Sequence, residues 1–116
     1  MKRGDIYWAV LAPRSGSEQS GRRPVIILSH DAFNQTPGWR SIVVIPVSTS
    51  TTQARRGPTV VAISAGTSGL PSKSHAVCHQ ITTLDRVKLT DKIGSLSPDL
   101  LTLVEQALLA AVDIRR

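Results

Sequence analysis

Apolar positions come in short runs along most of this chain, and only near the end do they take a helical spacing. Ile6 to Leu11 is the first run, with Tyr7 and Trp8 inside it, and its alternation allows a strand covered on both faces. Residues 12 to 22 are polar and glycine-bearing, a long loop for so small a chain, and long loops are often functional. Pro24 then leads into Val25-Ile26-Ile27-Leu28-Ser29. A proline at the first position of a strand breaks no ladder, and the β-branched run after it predicts a strand buried on both sides. His30 to Asn34 predicts one helical turn, and Pro37-Gly38-Trp39 a bend. Ser41 to Val47 is a third strand, running out into the hydroxyl cluster Ser48-Thr49-Ser50-Thr51-Thr52. Arg55-Arg56-Gly57-Pro58 predicts a turn, Thr59 to Ile63 a fourth strand, and residues 66 to 71 another loop. Ser74 to Leu84 reads as one extended or bent strand, with a turn or short helix around Asp85 to Leu89.

The one long helix starts at Ser97-Pro98-Asp99. Ser97 can cap, Pro98 suits the first helical position, and Asp99 complements the positive helix end. Leu100, Leu101, Leu103, Val104, Ala107, Leu108, Ala111 and Val112 recur at helical spacing as a wide apolar stripe, and Arg115-Arg116 suit the negative end. About five short strands and a terminal helix predict a mainly β protein with α: a small twisted, barrel-like sheet.

At 116 residues the chain is expected to form a single domain spanning 1–116. Charge changes the picture most. Fourteen Lys and Arg against eight Asp and Glu give +6, which favours an anionic partner. The basic residues come in scattered pairs (Lys2-Arg3, Arg22-Arg23, Arg55-Arg56, Arg115-Arg116), a pattern for a folded basic surface and not for a basic tail. A single cysteine, Cys78, excludes an internal disulfide and suits a reducing, cytoplasmic setting. Lys2-Arg3 before an apolar run superficially mimics a secretion signal, but Asp5 abuts the run, which reads instead as a strand. No apolar run approaches the ~18 residues of a membrane span, so no membrane association is expected.

Several motifs fail on context. Gly16 to Arg23 lacks the Lys-Ser/Thr of a P-loop, and a strand follows where a helix is required. Gly66-Thr67-Ser68-Gly69 has KH-type spacing without the flanking helices, and no Gly-x-Ser-x-Gly elbow occurs. His75, Cys78 and His79 form one cluster with no second pair to complete a zinc site, so no metal is expected. Two residues keep open readings. Arg23, at the lip of a strand beside a glycine-bearing loop, is either a phosphate ligand or a solvated surface arginine. His79, beside Gln80, is either a proton-transfer group or a structural histidine.

The blocks Gly4-Asp5-Ile6-Tyr7-Trp8, Gly16-Ser17-Glu18-Gln19, Gly21-Arg22-Arg23-Pro24, Phe33-Asn34 and Val44-Ile45-Pro46-Val47-Ser48 resemble, in order, those of the MazF/PemK (Kid-like) toxins. So do Gln80-Ile81-Thr82-Thr83-Leu84-Asp85, Leu89 to Gly94 and the terminal helix, so the resemblance covers nearly the whole chain. It implies an SH3-like (CcdB/PemK-type) barrel with a C-terminal helix, usually a homodimer. The activity implied is metal-independent, cofactor-free, sequence-specific cleavage of single-stranded RNA, neutralised by a small antitoxin whose flexible tail is often acidic. In that chemistry a ribose 2′-OH attacks phosphorus and expels the 5′-oxygen, leaving a 2′,3′-cyclic phosphate and a 5′-OH.

Arg23 falls on the family's catalytic arginine, and an always-charged guanidinium suits charge stabilisation first and proton transfer second. The family's threonine is replaced by Ser48, with Thr49 next as the alternative hydroxyl. An arginine and an aspartate of the PemK-like branch correspond here to Val77 and His79, so the base, if there is one, is expected to be His79. Ser17, Glu18, Gln19, Arg22 and Gln80 are expected to meet RNA, Trp39 to stack on a base, and Arg55 and Arg56 to steer the backbone. Two other readings stay open: a CcdB-like inhibitor of gyrase, and a basic nucleic-acid-binding barrel without catalysis.

Overall fold

The computed structural model describes residues 1–11, 21–50, 52 and 57–115. Seven strands form one antiparallel sheet: β1 (Asp5–Leu11), β2 (Gly21–Ile27), β3 (Ser41–Ser48), β4 (Val60–Ile63), β5 (Ser74–Val77), β6 (Thr82–Asp85) and β7 (Leu89–Ser95). A one-turn helix α1 (Asp31–Asn34) precedes β3, and the long helix α2 (Pro98–Ala111) closes the chain. The strand order is β4-β5-β3-β2-β1-β7, with β6 also on β3. β3 is the axis of this arrangement. One of its edges pairs with β2, and the other is shared: Ser41 to Val44 take β6, and Val47 and Ser48 take β5. The sheet is mainly β and barrel-like in its twist, with β4 and β7 at its open ends.

Alternation decides the two cores. Ile6, Ile26, Ile45, Val47 and Ile63 face one side and meet Val104 and Ala107 of α2. Ala9, Val25, Ile27, Ile42, Val44 and Leu84 face the other. The helix begins as its residues dictate: the Ser97 hydroxyl accepts the Leu100 N–H at 3.2 Å, and Pro98 is the first helical residue. It ends at Ala111 and Asp113 takes a left-handed φ of 54°, so Arg115 lies beyond the helix and pairs with Asp113 at 3.2 Å. Arg116 lies outside the described residues. No helix among the described residues is long and apolar enough to cross a membrane.

The elements depart from expectation in three places. β2 starts at Gly21, so Pro24 and Arg23 lie inside a strand and not at its lip; Pro24 pairs with Trp8, while β3 joins only from Val25. The run 74 to 84 divides, because Cys78 to Gln80 turn through a 3₁₀ segment that moves the chain from one half of the β3 edge to the other. β7 is mostly polar and at most half-buried; pairing with β1 makes it a strand, and no apolar run announces it.

Candidate active site

Gly69 and Gly94 shape one wall of the site. A Cβ at Gly69 would lie 2.3 Å from the Ile93 carbonyl oxygen, and one at Gly94 2.2 Å from that of Ser68. Only glycine at both positions lets the loop before β5 lie directly on β7. Gly69 also has a φ of +82°. This contact forms one side of a cavity of about 360 Å³ at the end of the sheet. Gly69, Leu70, Pro71, Ser72 and Ile93 line that side; Trp8, Arg22, Arg23, Pro24, Val47, Ser48, Thr49 and Ser74 line the rest.

Arg23 and the hydroxyl cluster thus meet at one cavity although 25 positions separate them in the chain. The sheet register explains it. Val25 faces Pro46, so Arg23 and Ser48, two residues further along on each strand, run out at the same end of the sheet. Arg23 is exposed and has no ion pair or hydrogen bond among the described residues; its backbone is held by pairing with Ala9. The Ser48 hydroxyl accepts the Ser50 N–H at 3.0 Å, which leaves its own hydrogen free to donate. Arg22 lies one step over, on the Trp8 side of β2. Its guanidinium carbon sits 4.3 Å from the Trp8 ring centroid, and its contact with the exposed Asp91 is long, at 3.7 Å. The ring orients this cation and the solvated carboxylate adds little.

Other expected residues lie elsewhere. His79 is exposed on the 3₁₀ turn, not in a strand, and its Nδ1 is 2.7 Å from the Thr59 hydroxyl. Neither it nor Gln80 lines the cavity. Trp39 is near the opposite end of β3, stacked on Phe33 with centroids 4.7 Å apart, and its Nε1 donates to the Ser41 carbonyl. Seven residue steps from Ser41 to Ser48 put roughly 23 Å between the two ends. Ser17, Glu18, Gln19, Arg55 and Arg56 lie outside the described residues. Cys78 is fully buried, and burial pushes its thiol up to about 12, so it is a packing residue and not a nucleophile. Among the described residues no three His, Cys, Asp or Glu side chains gather as a metal set.

Sequence reasoning passed over Trp8 and the Gly69/Gly94 pair. Trp8 looks like any core aromatic, and a glycine shows its neighbours only in three dimensions.

Comparison with known proteins agrees with this fold. A family model described as the PemK-like, MazF-like toxin of type II toxin–antitoxin systems matches residues 2–112. The chain is 37% identical to endoribonuclease EndoA of Bacillus subtilis (strain 168), over 97% of each chain. It is 34% identical to endoribonuclease MazF2 of Mycobacterium bovis, over 98% of each. Among solved structures, a mycobacterial endoribonuclease in complex with its cognate antitoxin superposes with a TM-score of 0.78 at 26% identity, covering 100% of this chain and 98% of that one. MazF from Deinococcus radiodurans shares the fold at a TM-score of 0.79 and 24% identity, over 98% and 97% of the two chains. With the match running from end to end, the chain belongs to the PemK/MazF family of type II toxin–antitoxin toxins.

Proposed function

We propose that this chain is the toxin of a type II toxin–antitoxin pair and an endoribonuclease that cuts single-stranded RNA without metal. The observation that carries the reading is the convergence of Arg23 and Ser48 on one cavity beside an oriented second arginine. Cleavage by 2′-OH attack concentrates negative charge on the phosphoryl oxygens, and a charged guanidinium at that point stabilises it. Ser48, or Thr49 beside it, donates a hydrogen bond to the same oxygens. Arg22, with Ser17, Glu18 and Gln19, holds the RNA, and Arg55 and Arg56 steer its backbone. A net charge of +6 draws the RNA in and equally suits an antitoxin with a flexible acidic segment. In support of such a partner, a mycobacterial structural relative is an endoribonuclease held by its cognate antitoxin. The toxin acts as a homodimer in the cytoplasm, where its RNA is found.

The test is incubation of the purified chain with a long mixed-sequence RNA in EDTA, followed by mapping of the cut ends. Cuts at a short recurring sequence, with 2′,3′-cyclic phosphate and 5′-OH ends, are expected, and the cognate antitoxin should abolish them. RNA left intact by a folded wild-type protein would exclude the nuclease reading.

A further inference from the structure

His75 belongs to no complete metal motif, and its place in the sheet is what marks it out. It is paired directly with Ser48 on β3 and with Ala62 on β4. Directly opposed residues of antiparallel strands project on the same face, with Cβ atoms roughly 4.5–5.5 Å apart. Arg23 and Ser48 line the same cavity, and His75 lies one strand beyond Ser48, about 4.8 Å away across the ladder. The imidazole is only 9% exposed, and its Nδ1 is buried with no hydrogen-bond partner among the described residues. A buried polar atom without a partner calls for an explanation, and a role in catalysis is one of the few.

We infer that His75 is the proton acceptor of the cleavage reaction, working through the Ser48 hydroxyl. The inference rests on the nuclease reading above. Ser48 Oγ accepts the Ser50 N–H, retains a lone pair for the ribose 2′-OH, and has its own hydrogen to give to the imidazole. As the O2′–P bond forms, the 2′-OH proton passes to Ser48 and the Ser48 proton to His75. The P–O5′ bond breaks, the leaving oxygen takes a proton from water, and Arg23, which lines the same cavity as Ser48, holds the phosphoryl charge. His75 then returns its proton to solvent. Ser48 and Ala62 flank the ring from the two adjacent strands and neither titrates; Arg23 is a charged group of the cavity. His75 does not itself line the cavity and acts on it through Ser48, which does, whereas the exposed His79 has its Nδ1 2.7 Å from the Thr59 hydroxyl.

The test compares wild type, His75→Gln and His79→Gln in single-turnover cleavage of a mixed-sequence RNA in EDTA from pH 5 to 9. Loss of a positioned base costs about 10²–10⁴-fold. His75→Gln should therefore slow cutting by about 10²-fold or more and remove the acid limb of the pH profile, whereas His79→Gln should change neither. Glutamine keeps a polar side chain of similar size but does not titrate, so a merely structural histidine would leave the limb in place. An unchanged rate and limb in His75→Gln overturns the inference alone; RNA left uncut by wild type overturns the nuclease reading and this inference with it. Should His75→Gln not fold, the His75 ring resonances of the wild-type protein are followed on adding a mixed-sequence 2′-deoxy oligonucleotide. They are expected to shift, and if they stay still while the Arg23 side-chain signals move, the inference is overturned.

Discussion

The two ends of β3 carry the same residue types for different ends. At the Ser41 end, Arg40 pairs with Asp85 at 2.9 Å, and Arg86 donates to the carbonyls of Trp39 at 2.8 Å and Phe33 at 3.1 Å. The aromatic pair there is stacked and its indole N–H is satisfied. Asp85 accepts the Val87 N–H and a bond from Arg40, which hold its carboxyl below the usual range. At the Ser48 end, Arg23 faces a cavity with no partner among the described residues, and His75 keeps a bare buried nitrogen. Cations that are fully hydrogen-bonded brace a fold. Those held by backbone pairing alone, with side chains left open, are available to a ligand.

Substitutions at each end test that contrast. The largest effect on activity is expected for Arg23→Ala: RNA cleavage rates should fall by about 10²–10³-fold while the melting temperature holds, because only an exposed side chain is removed. Gly94→Ala should be the most damaging to the fold. Its Cβ meets backbone that cannot yield cheaply, so a loss of about 2 kcal/mol or more is expected in urea unfolding, along with a displaced cavity wall. Arg86→Ala, at the braced end, should cost about 1–3 kcal/mol of stability and leave the cleavage rate per folded molecule unchanged. A rate loss matching that of Arg23→Ala would erase the distinction between the two ends.

Asp5 gives a smaller, pH-dependent effect. Burial works to raise its carboxyl, but bonds from the Ser95 hydroxyl and the Lys2 N–H, with Lys92 nearby, outweigh it and hold the group below its ordinary value. A carboxyl depressed on folding stabilises the protein above about pH 3.9, and that contribution is lost as pH falls through the folded value. Thermal melts from pH 7 to 2 should show a decline that is shallower in Asp5→Asn. The smallest expected change is in salt dependence: Arg22→Ala should reduce the slope of log affinity for single-stranded RNA against log salt by about 0.7, measured by fluorescence anisotropy.

Much of this was determined by sequence alone. Apolar runs of five to eight residues around β1, β2 and β3 announce strands, Ser97-Pro98-Asp99 announces the helix, and the ordered blocks identify the family; these signals are local or cumulative along the chain. Tertiary structure decided the rest. β7 is a strand because β1 pairs with it, the break at Cys78 exists because β3 has two partners on one edge, and His79 leaves the strand with that break. Trp39, in a loop that looks open, is instead held on Phe33 far from the cavity. His75 has nothing in its neighbours to distinguish it from a core residue, and only register sets it beside Ser48. The physical reason is that short-range chemistry sets what each segment can become, whereas strand order and register, which no local interaction encodes, choose which side chains meet.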